Sequence, residues 1–200
     1  METTAPPLII RIDEPTLIVL AGAAGSGKST LARRLVADGR DLGSDGTLSP
    51  EDVLSSDAYR ELIAGDEADQ SATQPAFRRL HADLHRRLAE GRTTLVDATN
   101  VTAFARRSLV RIAARHGRAA VAIVLDLPPE LVLARNVTRD GRIVPEAAVR
   151  RQLADLARSL RRGELEGEGF AAVHHLRLAS DVDRLVLVRE RAAVRPSSRL

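Results

Sequence analysis

The chain has 200 residues, of which 44% are hydrophobic, 2% are aromatic and none is cysteine. This length fits one domain with an aliphatic core, and the absence of cysteine excludes a disulfide framework and a thiolate metal site. With 30 basic and 27 acidic residues, the net charge of +3 is compatible with an anionic substrate but does not require one. No apolar run reaches the roughly 18 residues of a membrane span and no signal-peptide pattern precedes the first strand, so we expect a cytoplasmic protein.

The first predicted elements lead from a short strand into a glycine-rich loop. Residues 1–7 are a polar lead-in, and residues 8–12 predict an edge strand. Residues 17–20 are an apolar, β-branched run, which is typical of a strand buried on both faces. The loop at residues 22–29 follows directly, and residues 29–38 predict a helix whose N-terminus faces an anion.

The loop matches the pattern G-x-x-x-x-G-K-[ST] at every fixed position, with strand, loop and helix in the required order. Its glycines allow tight turns that point backbone N–H groups at a phosphate. Lys28 is the only lysine among 30 basic residues, at the position that needs a flexible point charge. The pattern predicts a site for ATP or another nucleoside triphosphate and for Mg²⁺, with Ser29 as a metal ligand; the alternative is a ligand-free turn. The residues expected to contact the nucleotide are Gly22, Ala23, Ala24, Gly25, Ser26, Gly27, Lys28, Ser29 and Thr30.

Strands and helices alternate along the rest of the chain. The predicted strands are residues 53–55, 93–96, 119–125, 173–178 and 185–188, and the predicted helices are residues 58–64, 75–90, 103–116, 130–139 and 145–161. Loops are predicted at residues 39–50, 65–73 and 163–169, and a loose tail at 192–200. This alternation predicts an α/β fold with a parallel sheet covered by helices on both faces. We expect a single domain over residues 1–200, with its core at about 16–190.

A group of arginines lies between two of the late helices. Arg135, Arg139 and Arg142 are spaced by four and three residues, so a helix that continued through them would place all three near one side. The layout resembles small P-loop kinases of the adenylate-kinase type, which have the strand order 2-3-1-4-5 and an arginine-bearing helical lid at this place. The resemblance implies a lid at residues 133–150 in which Arg135 and Arg139 contact ATP and stabilise the transferring phosphoryl group. The alternative is an arginine face that meets only water.

Three further segments resemble the kinase domain of bacterial polynucleotide 5′-kinase/3′-phosphatase. They are S-S-D-A-Y-R at residues 55–60, D-E-A-D-Q at 66–70 and V-D-A-T-N-V at 96–101. Together with the P-loop, the lid and the turn Glu168-Gly169-Phe170, the resemblance extends from about residue 16 to residue 190. The bacterial repair enzymes also contain phosphatase and ligase domains, for which this chain has no room. The resemblance therefore implies the 5′-kinase activity alone, with a separate phosphatase or ligase as a possible partner.

Asp57, Arg60 and Asn100 are the residues to which this resemblance assigns the acceptor. Asp57, at the carboxyl end of the second strand, would orient a 5′-hydroxyl and accept its proton. Arg60, one turn later, would hold the phosphodiester beside that hydroxyl, and Asn100 would contact the substrate or orient its loop. The alternatives are a helix N-cap for Asp57 and a solvated helix arginine for Arg60.

Two aspartates compete for the role of organising Mg²⁺. Asp97 and Asp126 each end an apolar strand, and Asp97 is preferred because it opens the D-x-T-N element. His81 and His85 have the i, i+4 spacing of some zinc sites, but no HExxH pattern and no third ligand accompanies them. We therefore expect the metal at Ser29 and Asp97.

These patterns together predict an ATP- and Mg²⁺-dependent polynucleotide 5′-hydroxyl kinase that acts on RNA or DNA ends. Because the chain has few aromatic residues, we expect contacts to phosphates more than base stacking, and binding that weakens with salt. Two alternatives share part of the pattern. One is a kinase of a small molecule, such as a sugar, an antibiotic or a nucleotide-sugar, and the other is a nucleotide-dependent switch without phosphoryl transfer.

Overall fold

A computed structural model describes residues 5–37, 48–64, 73–138 and 143–191. The strands are β1 (Leu8–Glu14), β2 (Thr16–Ala21), β3 (Val53–Ser55), β4 (Thr94–Asp97), β5 (Ala119–Leu125), β6 (Ala172–Leu176) and β7 (Leu185–Arg191). The helices are α1 (Lys28–Ala37), α2 (Ser56–Ala64), α3 (Thr73–Ala89), α4 (Ala103–Arg115), α5 (Pro129–Val137), α6 (Glu146–Arg161) and α7 (Ala179–Arg184). Within these ranges, no helix combines the length and the apolar character needed to cross a membrane. Most of the two early loops and the whole predicted tail lie outside the described residues.

Five parallel strands form the central sheet, in the order β3-β4-β2-β5-β6. Counted without β1, this is the order 2-3-1-4-5, so the predicted P-loop kinase topology is confirmed. β2 lies in the middle, with Leu17 opposite Thr94 of β4 and Ala120 of β5. Every residue of β2 is buried, as expected for a strand in a parallel sheet with both faces covered. The P-loop therefore leaves the sheet at the centre of its carboxyl edge.

Aliphatic side chains pack on both faces of the sheet. Because successive side chains of a strand point to opposite faces, Ile18 and Leu20 join one cluster while Leu17 and Val19 join another. The first cluster includes residues of α1, α5, α6 and α7, and the second includes residues of α3 and α4. The contribution of α3 is the predicted stripe Leu80, Leu84 and Leu88. α1, which follows the P-loop, and α5, which bears Arg135, thus share one face of the sheet.

The strand predicted at residues 8–12 forms, but its partner lies far away in the sequence. β1 extends to Glu14 and pairs with β7 in a separate two-stranded parallel sheet, not with the central sheet. Ile10 and Ile12 are buried against the first cluster, while Arg11 Nη1 pairs with Glu190 Oε1 on the outer side over 2.7 Å. This alternation explains why the segment is a strand. It does not identify the partner strand, which local sequence patterns do not encode.

The helix predicted at residues 130–139 ends two residues earlier than predicted. α5 ends at Val137, and the N–H of Thr138 caps it by donating to the Ala134 carbonyl oxygen over 3.3 Å. Arg139 and Arg142 lie outside the described residues. Only Arg135 can therefore be compared with the expected position of the lid arginines.

Candidate active site

The glycine-rich loop is held closely between β2 and α1. Gly25 and Gly27 have φ angles of +85° and +96°, in the left-handed region that favours glycine. A Cβ atom on Gly25 would lie only 2.5 Å from the Val132 carbonyl oxygen, so the loop packs against the backbone of α5. On its other side, the Gly22 N–H donates to the Thr99 carbonyl oxygen over 2.9 Å. The loop is thus fixed by α5 and by the segment after β4.

Lys28 begins α1 and folds back into the loop. Its Nζ donates to the Ala23 carbonyl oxygen over 2.9 Å, and the residue is 7% exposed. The same carbonyl accepts the Ser26 N–H over 3.1 Å, which closes the first turn of the loop. This arrangement keeps a flexible cation where a polyphosphate would be bound. Together with the left-handed glycines, it fits a nucleoside triphosphate.

A cavity of about 710 Å³ opens beside the loop and brings together most of the predicted site residues. Those that line it are Ala24, Gly25, Gly27, Lys28, Ser29, Thr30, Asp57, Arg60, Asp97 and Arg135. Gly22, Ala23 and Ser26 instead lie buried beneath the loop. Ser26 Oγ has no hydrogen-bond partner among the described residues. The volume is in the range of small-molecule sites, and the predicted donor and acceptor residues face the same space.

Asp57 and Arg60 lie in the first turns of α2, at the carboxyl end of β3. The helix begins at Ser56, and the Ala58 N–H lies 3.5 Å from Ser55 Oγ, so Asp57 lies within the helix and is not its N-cap. The Asp57 carboxylate and the Arg60 guanidinium form an ion pair. Because Arg60 is only 9% exposed, the alternative of a solvated helix arginine does not apply. Both side chains belong to the cavity wall.

A contact with α3 fixes the orientation of α2. The Tyr59 hydroxyl donates to Asp83 Oδ2 over 2.7 Å, and Asp83 also pairs with Arg79 and Arg86. Burial and the hydrogen bond to Asp83 raise the pKa of Tyr59 to about 12. The hydroxyl therefore stays protonated at neutral pH and remains a donor. Its bond holds the helix that presents Asp57 and Arg60 to the cavity.

Of the two aspartates considered for Mg²⁺, Asp97 lines the cavity with Ser29, while Asp126 is not part of its described lining. Asp97 is 5% exposed and lies opposite Leu20, the penultimate residue of β2. A carboxylate and a hydroxyl oxygen are hard ligands of the kind that Mg²⁺ prefers, so these two residues fit the ion. Asp126 follows β5, where its N–H donates to the Leu176 carbonyl oxygen over 2.9 Å. The geometry thus supports Asp97.

A buried network behind the cavity holds the loop that follows β4. Asn100 has a φ angle of +46°, and its Nδ2 donates to the Leu20 carbonyl oxygen over 2.8 Å. Arg106 Nη1 donates to the carbonyl oxygens of Asn100 and Val101 over 3.1 and 2.8 Å. The same guanidinium forms two bonds of 2.7 Å to the Glu168 carboxylate, and both side chains are fully buried. Of the two roles predicted for Asn100, this placement supports orientation of the loop.

Arg135 is the part of the predicted lid that can be located. Its Nη1 lies 3.8 Å from the position that a Cβ on Gly27 would take, which places the guanidinium over the P-loop. The next residue, Asn136, joins α5 to the chain before α6. Its Nδ2 donates to the Val144 carbonyl oxygen over 2.8 Å, and its Oδ1 accepts the Val144 N–H over 3.3 Å. The end of α5 is therefore held to the segment before α6, whereas Arg139 lies outside the described residues.

Sequence reasoning missed several residues of the cavity wall, among them Gln152, Arg33 and Asp183. Gln152 Oε1 accepts the Ala24 N–H of the P-loop over 2.8 Å. A polar residue on the apolar stripe of α6 is the signal that could have identified it. Arg33 and Asp183 give no comparable signal, because one lies among many arginines and the other in a short helix with mixed composition.

One of the two histidines of α3, His85, makes a contact between helices. His85 Nδ1 lies 2.9 Å from Nε2 of His116 at the end of α4. Burial first, and then the neighbouring charges of His116 and Arg115, lower the pKa of His85. Nowhere in the described part of the chain do three or more His, Asp or Glu side chains cluster as metal ligands. His81 packs its ring edge-on against Phe77 of the same helix, with 6.2 Å between the ring centroids.

Comparisons with known proteins place the chain among nucleotide-dependent kinases. A family model described as an AAA domain matches residues 17–162. The chain is also 36% identical over 144 residues to a thymidylate kinase from Dinoroseobacter shibae, an alignment that covers 62% of this chain and 70% of the relative.

Several solved structures share the fold at lower identity. A chain of the Pnkp1/Rnl/Hen1 RNA repair complex has a TM-score of 0.62 and 22% identity, over 76% of this chain and 47% of that chain. A gluconokinase from Sinorhizobium meliloti has a TM-score of 0.53 and 20% identity, over 86% and 87% of the two chains. An AvrRxo1-ORF1:AvrRxo1-ORF2 structure with ATP has a TM-score of 0.62 and 17% identity, over 84% and 55%. This chain thus spans about half the length of the repair-complex chain, and the similarity is one of fold.

Proposed function

Because this chain belongs to the AAA domain family and has the fold of a P-loop kinase, we propose that it transfers the γ-phosphoryl group of ATP to the 5′-hydroxyl of an RNA or DNA strand. The main support is the Asp57–Arg60 ion pair, which shares one cavity with Lys28 and Arg135. A carboxylate next to a guanidinium suits an acceptor that carries both a hydroxyl and a phosphate. The 5′-terminal nucleotide of a strand has these two groups side by side.

The donor side supports phosphoryl transfer. Lys28 would move from the Ala23 carbonyl to the β- and γ-phosphates, while the loop N–H groups hold the inner phosphates. Ser29 and Asp97 would hold Mg²⁺, which supplies positive charge to the phosphate oxygens. Arg135 adds a guanidinium above the loop. An arginine that stabilises the transferring phosphoryl group can raise the rate by about 10³–10⁵-fold.

Asp57 favours an alcohol as the acceptor. A hydroxyl must lose its proton as it attacks phosphorus, and a carboxylate at hydrogen-bond distance can orient it and accept that proton. A phosphate acceptor such as thymidylate is already ionised at neutral pH and needs no base. A carboxylate beside it would also repel it. Asp57 therefore disfavours a phosphate as the attacking group.

Arg60 favours an acceptor that carries a phosphate close to its hydroxyl. A guanidinium has five N–H donors, so it can hold the Asp57 carboxylate and also bind a second anion. A neutral sugar would not use this second binding capacity of Arg60. The cations of the described cavity wall are Lys28, Arg33, Arg60 and Arg135, against the acids Asp57, Asp97 and Asp183.

The direct test is transfer of labelled γ-phosphate to a panel of acceptors. The panel contains a 5′-hydroxyl oligonucleotide, the same oligonucleotide with a 5′-phosphate, a nucleoside with and without a 3′-phosphate, gluconate and thymidylate. We expect transfer to the 5′-hydroxyl oligonucleotide and, more weakly, to the nucleoside 3′-phosphate. Asp57→Asn should lower this transfer by about 10²–10⁴-fold while ATP binding is retained. Asp126→Asn is the matched control, since it changes another strand-end aspartate that lies outside the cavity lining.

Thymidylate or another nucleotide is the second candidate acceptor, because the related enzyme of Dinoroseobacter shibae is a thymidylate kinase. Preferred transfer to thymidylate or gluconate would refute the polynucleotide proposal. Undiminished transfer in Asp57→Asn would refute the role of this carboxylate.

A further inference from the structure

Gln152 and Lys28 hold opposite ends of one peptide group in the P-loop. The Ala23 carbonyl oxygen accepts Lys28 Nζ over 2.9 Å, and the N–H of the same peptide, which belongs to Ala24, donates to Gln152 Oε1 over 2.8 Å. In a trans peptide the C=O and the N–H point in opposite directions, so the two side chains approach it from opposite sides. Nothing in the loop pattern or in the proposed reaction assigns a role to Gln152.

The contact with Ala24 determines which way the Gln152 amide faces. A backbone N–H can only donate, so the side-chain oxygen must face the loop, and the NH₂ group points elsewhere. Gln152 lines the cavity, and the bond to Ala24 is its one hydrogen bond within the described residues. Its two amide donors are therefore left for a ligand.

The position of Ala24 indicates which part of the nucleotide lies beside Gln152. The N–H groups that cradle the inner phosphates belong to the later part of the loop and the first turn of α1. Ala24 comes before them, and its own N–H is already engaged. The cavity beside Ala24 also contains Asp57 and Arg60, the proposed acceptor residues. Gln152 thus lies between the expected site of the inner phosphates and the proposed acceptor residues. In bound ATP, the terminal phosphoryl group would occupy this place.

We propose that Gln152 binds the γ-phosphoryl group of ATP through Nε2 while its Oε1 holds the P-loop, so that it distinguishes ATP from ADP. The surrounding packing keeps the amide in place: Val149 and Leu156, on the same face of α6, are 0% and 2% exposed. A rigid helix presents a ligand more accurately than a loop does. The inference depends on ATP as the donor in the proposed function, but not on the acceptor.

The test compares the affinities of a non-hydrolysable ATP analogue and of ADP, measured by calorimetry. Gln152→Glu keeps an oxygen for the Ala24 N–H but replaces the two donors with a negative charge. We expect it to weaken binding of the ATP analogue by about 10-fold or more, because a charge-assisted bond is replaced by repulsion. Binding of ADP should change by less than about 3-fold, the effect of a small change at one hydrogen bond. Gln74→Glu makes the same chemical change on the exposed face of α3 and should leave both affinities unchanged.

A merely structural role for Gln152 predicts a different result. Equal losses of affinity for ATP analogue and ADP, or no loss in Gln152→Glu, would overturn the inference. If Gln152→Glu does not fold, Gln152→Met tests the same point with an unbranched neutral side chain, and the ATP-specific loss should persist. Because binding is measured without an acceptor, failure of polynucleotide phosphorylation would leave this result standing, so the two proposals fail separately.

Discussion

Arg106→Met removes the cation from the buried network behind the cavity and should destabilise the protein by about 3–5 kcal/mol, the usual cost of breaking a buried ion pair from one side. Three acceptors lose their donor in this variant. The Glu168 carboxylate loses two bonds of 2.7 Å, and the carbonyl oxygens of Asn100 and Val101 lose bonds of 3.1 and 2.8 Å. Since Arg106 and Glu168 are fully buried, water cannot replace these bonds without opening the core.

Denaturation by guanidinium chloride, followed by circular dichroism, measures the effect. Domains are typically stable by about 5–15 kcal/mol, so the variant should lose a large fraction of its free energy of unfolding. For a chain of this length the melting temperature should fall by about 6–20 °C. The double variant Arg106→Met/Glu168→Leu removes both charges and should be more stable than Arg106→Met alone, because no unpaired carboxylate remains in the core. Arg107→Met, on the exposed side of the same helix, is the matched control.

A loss below about 1 kcal/mol in Arg106→Met would refute this reasoning, since it would show that Glu168 escapes burial or is neutralised at little cost. A double variant as unstable as the single one would refute the unpaired carboxylate as the cause. The same samples report on function. Because Arg106 fixes the backbone after β4, and Asp97 precedes this segment, the affinity for Mg²⁺–ATP should also fall in Arg106→Met.

Three further predictions concern the loop and the helix contacts. Lys28→Ala should lower phosphoryl transfer by about 10²–10³-fold, the usual loss on removing one preorganised donor, and steady-state transfer assays with an unchanged melting temperature would check it. Gly25→Ala should destabilise the protein, because the residue has a φ angle of +85° and the added Cβ would lie 2.5 Å from the Val132 carbonyl oxygen. An unchanged free energy of unfolding in chemical denaturation would contradict this prediction. The pKa of His85 is lowered in the folded state, so the unfolded state binds more protons below about pH 6.5. The free energy of unfolding should therefore decrease as the pH falls below that value. His85→Leu should reduce this loss, measured by denaturation between pH 8 and pH 5.5, and an unchanged pH dependence would contradict the contribution of the His85–His116 contact.

Three strands of the central sheet, β2, β4 and β5, could be predicted because each is a local apolar run that ends at a polar or glycine residue. β2 and β5 show this most clearly, since almost all of their residues are aliphatic and buried. The strand order came from the resemblance to P-loop kinases and is confirmed. Local signals also located the start of α4, where the Thr102 side chain accepts the Ala105 N–H over 3.3 Å as a cap.

The residues of the cavity could be predicted where the chemistry restricts the residue type. Lys28, Asp57, Arg60 and Asp97 were selected from motifs, and the fold brings all four to one cavity. Parallel strands make this possible, because the loops at their carboxyl ends meet at one edge of the sheet. The individual roles of these residues in the reaction remain predictions.

The features that sequence reasoning missed depend on partners far apart in the chain. Glu168 was part of a predicted acidic loop, and nothing near it indicates that it pairs with Arg106, one of 29 arginines. Gln152 was counted as an ordinary helix residue because its partner is a backbone group of the P-loop. The end of α5 at Val137, two residues before the predicted end at residue 139, was missed because no glycine or proline marks the boundary between them.

The pairing of β1 with β7 has a consequence for the order in which the protein folds. These strands join the two ends of the described chain, so the loop that their pairing closes contains the whole central sheet. Closing so long a loop costs entropy that nearby contacts do not repay, and β7 leaves the ribosome after every strand of that sheet. We therefore expect the central sheet and its nucleotide pocket to form first in the nascent chain, and the pairing of β1 with β7 to form last. Replacing Ile10 of β1, which is 2% exposed, with a smaller residue should then accelerate unfolding and leave the refolding rate almost unchanged.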